Sequence, residues 1–322
     1  CIRDSNYSIS FRQIYRCRYF VVSSAVWRDK MQHSDKEADY TLYTFMAIAF
    51  VVAIVTLFSL NVDLLGQSSK SSESFQSNSI FLLLFRLICF SIGVYAVYNM
   101  VICGPGTMVV VSLKEQREII LYPQGLEKFV TFSSWTLLAN IAYFSVACLN
   151  QILQLRNISI PEFLLQIQLI IFCFGISIAF LTATIVRHLI LPNEQKSGRE
   201  IKHMFLFHEQ IMHNFAAIFL AVELVALQPD LIPEFALFGL YFSILYILFA
   251  YIFGYFFSDY IAYSFLHPAP KIAPIFIIGL ATIIALFYVG LWYSTTLPKI
   301  ASVLIVLFWI TSIVQFRPKH SE

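Results

Sequence analysis

The chain has 322 residues, of which 59% are hydrophobic and only 12% charged, with a formal net charge of +2 and a mean hydropathy of +0.75. A soluble domain carries about 25% charged residues, so the composition argues for an integral membrane protein; the small net charge gives no ground for a nucleic-acid partner, and none is expected. Apolar runs of about 20 residues can cross a hydrocarbon core of about 30 Å as helices, whereas a β-barrel would show shorter, alternating segments, so the expected fold is all-α, a polytopic transmembrane helical bundle.

Residues 1–41 read as a tail. They begin "CIRDSNYSISFRQIYRCRYF" and lack the charge-then-apolar order of a signal peptide; residues 1–30 are read either as a native tail or as a leader ahead of Met31. Eight spans follow, at 42–60, 80–102, 131–153, 163–186, 205–227, 235–257, 273–292 and 299–316. They make a transmembrane domain of 42–316 before a short tail, 317–322. Between the first two spans, "GQSSKSSESFQSNS" (66–79) has the composition of a flexible linker. Between the second and third, "GTMVVVSLKEQREIILYP" (106–123) sets two β-branched runs around a charged turn. That is the pattern of a hairpin, which would serve as a cap over the bundle or as a lid guiding access. Asn157 heads an N-x-S sequon in a loop too short to favour a glycan, and Asn6 heads another.

Seventeen of the 21 Lys and Arg fall in the two tails and in loops 103–130, 187–204 and 258–272. Lys70, Arg156 and Lys299 fall on the other face, and Arg86 lies inside a span. That bias places both termini in the cytosol. The six cysteines form no CxxC; Cys89, Cys148 and Cys173 lie within spans as small hydrophobes, and neither a disulfide framework nor a metal site is expected.

Ionisable groups inside a span are costly, and each calls for a partner or a task. Arg86 and Glu223 lie at matching depth in the second and fifth spans and predict a buried structural ion pair. The other polar groups gather at the opposite end. His213 lies about 12 Å into the fifth span at 1.5 Å per residue, with Glu209 and Gln210 on its helical face. Thr131 opens the third span there, in "EKFVTF" (127–132). Arg187 and His188 close the fourth span, and Asp259 and Tyr263, within "SDYIAYSFLHP" (258–268), close the sixth. A histidine that removes a proton from a threonine hydroxyl generates a nucleophile for an acyl carbon, and a cavity open to lipid would admit an acyl-chain substrate from the membrane. The plainer readings are a threonine that caps its helix and a histidine that serves packing. A transporter or channel is weakened by the absence of an internal repeat. Haem is disfavoured because His208 and His213, five residues apart, share no helical face, and a di-iron desaturase because its histidine clusters are absent. No cofactor is expected.

The segment "EKFVTFSSWTLLANIAYFSVACL" resembles the opening motif of the androgen-induced protein family. That family includes the androgen-dependent TFPI-regulating proteins, membrane-embedded threonine hydrolases of fatty acid esters of hydroxy fatty acids. "IMHNFAAIFLAVE" is similar to the family's Met-His helix with an acidic residue ten positions on. The resemblance implies a lipid-ester hydrolase with Thr131 as nucleophile, His213 as base and Glu223 as the family's acidic residue. "RHLILP" (187–192) and "AYSFL" (262–266) are similar to two further family motifs, in the same order. The departures are spans 1 and 8 and the hairpin, which are additions to a core of about six helices, the replacement of an Asn-His by Glu209-Gln210-Ile211, and Ile261 and Ser264 where the family has Trp and Pro.

Overall fold

A computed structural model of the protein describes residues 39–102, 106–199 and 201–317. Met31, Cys1, Cys17, Cys103, the Asn6 sequon and most of both tails lie outside these residues. It is an all-α bundle, with 77% of the described residues helical. Its helices are α1 (Thr41–Leu60), α2 (Leu64–Ser72), α3 (Ile80–Ile102), α4 (Phe132–Leu155), α5 (Glu162–Ile185), α6 (Leu191–Lys196), α7 (Phe207–Gln210), α8 (Ala216–Leu227), α9 (Ala236–Phe253), α10 (Ala273–Thr295) and α11 (Lys299–Ile313). A π-helical turn at Val186–Ile190 joins α5 to α6, another at Ile211–Phe215 joins α7 to α8, and a third at Gly254–Ser258 extends α9.

Seven of the expected spans are helices long and apolar enough to cross a membrane. The eighth, expected at 299–316, is shorter: α11 begins after Pro298, gives way to extended chain at Val314 and has 15 residues, about 22 Å at 1.5 Å per residue. Between α3 and α4 the expected hairpin is present. Strands β1 (Met108–Ser112) and β2 (Glu118–Leu121) pair antiparallel with Val110 opposite Ile119, and β1 also pairs with a short β3 (Tyr260–Ile261). Gly254 makes that docking possible, since a Cβ there would stand 2.9 Å from the Tyr260 carbonyl oxygen.

The helices alternate in direction, as the hydrogen bonds at each end show. At the hairpin end, Thr44 Oγ1 at the start of α1 donates to the Pro268 carbonyl at 2.7 Å, and Arg187 donates to the Thr311 carbonyl at the end of α11 at 2.7 Å. At the far end, Gln151 of α4 donates to the Ser79 carbonyl just before α3 at 2.8 Å, and the Asp230 amide before α9 donates to Ser74 Oγ at 3.0 Å. Helix α5 is central, with 72% of its most apolar window buried against 22% for α1, α3 and α10. The outer helices turn large side chains outward, among them Phe81, Phe256 and Phe308 at 77–86% exposure, a surface suited to lipid rather than water.

The Ser-rich segment is not a flexible linker. Asp63 caps α2 by accepting from the Gly66 amide. The Ser68 and Ser72 hydroxyls donate to carbonyls three residues back at 2.8 Å each, which satisfies them without water. Ser68 and Ser72 are fully buried; Ser69 bonds Glu162 at the start of α5, and Phe75 packs edge-on to Phe172 of α5. Small side chains with self-satisfied hydroxyls let α2 press on the core.

Arg86 and Glu223 meet in the core toward the far end, with 1% and 0% side-chain exposure. The guanidinium grips the carboxylate twice, Nε to Oε1 at 2.7 Å and Nη2 to Oε2 at 3.0 Å. Nη1 reaches Gln151 Oε1 at 3.0 Å, and the Tyr143 hydroxyl donates to Glu223 Oε2 at 3.2 Å. A bidentate pair with its spare donors and acceptors met can repay its desolvation. Arg86→Met should therefore cost about 3–5 kcal/mol by leaving a buried carboxylate unpaired, while Arg86→Met with Glu223→Leu should recover most of that loss; thermal unfolding in detergent checks both.

His267, in the loop that receives α1, accepts from the Ala269 amide at 3.3 Å and is 5% exposed. Burial lowers its proton affinity below the ordinary histidine value, opposed in part by Asp39. The folded protein thus binds fewer protons here than the unfolded chain, so the contribution of His267 is present above about pH 6.5 and is lost as pH falls. His267→Asn, which keeps an acceptor for Ala269, should show a smaller loss of melting temperature between pH 8 and pH 5 than the unaltered protein.

Candidate functional site

The approach to α4 is a 3-10 turn, Gly125–Val130, stabilised by a reciprocal cap between Gln124 and Glu127. Thr131 follows in extended conformation and its Oγ1 accepts from the Ser134 amide at 3.3 Å, so the hydroxyl is the N-cap of α4. Three aromatic side chains bond the backbone around it. Trp135 Nε1 donates to Phe129 O at 3.0 Å, the Tyr246 hydroxyl to Val130 O at 3.0 Å, and the Phe132 amide donates to the Tyr263 hydroxyl at 3.1 Å. Buried Lys128 reaches back to the Met100 carbonyl near the end of α3 at 2.8 Å, a cation where the helix dipole favours one.

Facing this turn is the π-helical segment that carries His213. Its extra residue per turn interrupts the ordinary ladder, a feature frequent at functional sites. Leu137 of α4 packs in one cluster with Ile211 and Met212, and Asn140 donates to the Ala216 carbonyl at 3.3 Å, so α4 and the His213 segment lie side by side. The Glu209 carboxylate stands between two buried imidazoles, 3.5 Å from His213 Nε2 and 3.6 Å from His208 Nε2. His213 Nδ1 is buried with no hydrogen-bond partner.

The residues expected to form the site therefore divide. Thr131 and Tyr263 meet at the start of α4, where Tyr263 accepts from the Phe132 amide, while Glu209 and His213 lie together on the segment packed beside α4. Among the described residues no hydrogen bond joins Thr131 to His213; Thr131 Oγ1 engages Ser134 and the Lys128 carbonyl. Gln210 does not orient His213: it donates to the Met204 carbonyl and accepts from Asn214, which clamps the backbone of Gln315. Arg187 and His188 serve the end of α11, bonding the carbonyls of Thr311, Val314 and Ser312, because the π turn swings them toward that helix. Asp259, left-handed at φ 64°, pairs with Lys114 of the hairpin at 3.4 Å on the surface. Neither Arg187 nor Asp259 reaches the site.

A cavity of about 60 Å³ opens beside the start of α4, between α5, α9, α10 and the 263–266 loop. Its wall is apolar apart from hydroxyls, and most of these are already engaged. Ser243 donates to the Gly239 carbonyl at 2.8 Å, Tyr246 to Val130, and Thr182 meets Thr136 at 3.1 Å. The remaining polar groups, Ser133 and Tyr263, stand together at one end, within hydrogen-bonding reach of each other. Ser133 and Lys128 are not among the residues the sequence points to, and His208 enters there only as a haem ligand that is disfavoured. The "TFSS" run held the signal for Ser133, since position 133 falls about 200° around the helix from Thr131 at 3.6 residues per turn and so points elsewhere. Among the described residues no group of three or more His, Cys, Asp or Glu side chains could hold a metal ion.

The chain matches no protein-family model, no curated protein and no solved structure. What the fold itself defines is a class: a helical bundle with, among the described residues, seven helices able to cross a membrane, compatible with an integral multi-pass protein, with an apolar cavity beside the start of α4.

Burial pushes the Tyr263 hydroxyl above the ordinary tyrosine range, although the amides of Phe132 and Ser133 oppose this. The folded chain therefore holds that proton more tightly than the unfolded one, and the stability this supplies is present below about pH 10 and lost as pH rises further. Tyr263→Phe should remove that alkaline loss. It should also lower stability by about 1–3 kcal/mol near neutrality, because the Phe132 amide loses its acceptor; melting curves at pH 7.5 and 10.5 check both expectations.

Proposed function

We propose that this protein is an intramembrane lipid-ester hydrolase acting on fatty-acyl esters, such as the esters of hydroxy fatty acids that the family resemblance implies. One observation carries the reading: the cavity, apolar but for a few hydroxyls that are mostly engaged, meets the start of α4 at Ser133, two residues from Thr131, and that start lies beside the segment that bears Glu209 and His213. An acyl chain lies in the apolar part, and the ester carbonyl lies at the polar end, facing the Tyr263 hydroxyl as a hydrogen-bond donor.

In this reading Thr131 Oγ1 bonds to the acyl carbon while its proton passes to His213, positioned by Glu209. The ester's alcohol leaves with that proton, and water then cleaves the acyl-threonine to release the fatty acid. The cap contact from the Ser134 amide favours the developing alkoxide, because helix N-termini stabilise negative charge. Thr131 and His213 must approach each other for the transfer, and the π-helical turn is the element whose shift would bring them together. In the membrane, the bundle makes eight passages with both termini cytosolic, α11 being the short one, as the distribution of Lys and Arg supports.

A fluorophosphonate probe applied to the purified protein tests the reading. Labelling should be lost in Thr131→Ala and slowed about 10²–10⁴-fold in His213→Ala. Labelling that survives Thr131→Ala but disappears in Ser133→Ala would transfer the nucleophile to Ser133, the hydroxyl that lines the cavity. Labelling that survives both, or a folded protein that never labels, would overturn the proposal.

A further inference from the structure

A second apolar cavity, of about 30 Å³, lies between α1, α9 and α10. Its wall shares Ser243, Ile247, Leu280 and Ile284 with the first cavity, so the two are neighbours across those four side chains. The separation has a structural cause. One turn toward the far end, Gly239 lets α9 press on α10, since a Cβ there would meet Ile284 at 3.2 Å. On the hairpin side of that contact, Ser243 and Ile247 of α9 and Leu280 of α10 line both cavities. Helix α1 covers the outside of the second cavity with Ile48 and Val51.

We infer that the two cavities are one binding site for a single acyl chain, which enters at the polar end by Ser133 and Tyr263, passes between α9 and α10 at Ile247 and Leu280, and ends beneath α1 against Ile48 and Val51. This inference rests on the reading of the first cavity as an acyl site, and it assigns to α1 the role of a chain-length stop. Three observations fix the chemistry of the occupant. The path is lined mostly by aliphatic side chains, and its midway hydroxyls are turned to other groups, Ser243 onto the Gly239 carbonyl at 2.8 Å, Tyr246 onto the Val130 carbonyl and Thr182 onto Thr136, so nothing midway recognises a polar group. A water-sized group needs about 10–15 Å³ on this scale. The first cavity thus takes about four to six methylene-sized groups and the second about two or three, enough for the inner part of one chain and its methyl end but not for a second chain. A chain arriving from bilayer lipid gains no hydrophobic advantage by the move, since lipid tails are as apolar as the cavity wall; selection must come from the polar end and from the fit of the methyl end.

The sharp expectation is selection by length without a polar contact. Wild-type protein in nanodiscs would be irradiated with a fatty acid carrying a diazirine at its methyl end and, separately, with one carrying it near the carboxyl. The terminal probe should mark peptides of α1 that contain Ile48 and Val51, and the carboxyl-proximal probe should mark the 260s loop or the start of α4. Ala281→Leu and Val51→Phe, which fill the second cavity, should shift competition for the carboxyl-proximal label toward shorter fatty acids by about two to three carbons. Two variants are used so that misfolding of one leaves the other as the test. The His213→Ala protein should label in the same pattern, which separates this inference from the fate of the hydrolase reading. Terminal-probe adducts confined to the lipid-facing surface, or an unchanged length preference in both filled variants, would overturn the inference even if ester hydrolysis were established.

Discussion

In an apolar surrounding no water is at hand to satisfy the backbone, and the first turn of α4 is where that constraint is met most elaborately. The carbonyls of Phe129 and Val130 and the amide of Phe132 are each bonded by an aromatic side chain from α4 itself, from α9 and from the 260s loop. The bonds of Tyr246 and Tyr263 anchor α9 and the loop to α4, while that of Trp135 ties α4 to the turn before it. They also shape the adjoining cavity, because Tyr246 and Tyr263 are both walls of it and clamps on the turn. A site built this way has its polar groups held by rigid neighbours and its apolar groups free to receive a chain.

The three π-helical turns all lie at the hairpin end, in α5, in the His213 segment and at the close of α9. Each one changes the angular phase of the helix past it. The first brings Val186 and Ile190 into the cavity wall while sending Arg187 to the end of α11. The second carries His213. The third, with Gly254, lets β3 reach the hairpin, so that the loop bearing Tyr263 is tied to the 106–123 segment. The far end holds the opposite kind of structure: the Arg86–Glu223 pair, Tyr143, and the serine-lined α2 make a tightly packed, buried plug.

Much of this was legible in the sequence, because long apolar runs and a β-branched hairpin are signals that neighbouring elements do not alter. The meeting of Arg86 with Glu223 was readable from depth alone, since two opposite charges inside the same layer have few other ways to be satisfied. What stayed hidden depended on angular phase and on side-chain size. A π turn has no signature in composition, so the sequence groups Arg187 with the polar cluster and Gln210 with the face of His213, whereas Arg187 turns to α11 and Gln210 to Met204 and Asn214. The Ser-rich stretch has the composition of a linker, yet its hydroxyls bond their own helix and its small volume permits packing on α5. Ser133 stood two residues from the chosen threonine, and only the fold shows which hydroxyl lines the cavity.

The account stands on an acyl chain occupying the interior of the bundle with its carbonyl at the start of α4. A structure determined in nanodiscs with a long-chain acyl phosphonate tests it most directly. The account predicts phosphorus bonded to Thr131 Oγ1, with chain density running from Tyr263 between α9 and α10 toward α1. Phosphonate bound only at the lipid-facing surface, with the cavity beside Ser133 unfilled, would contradict it.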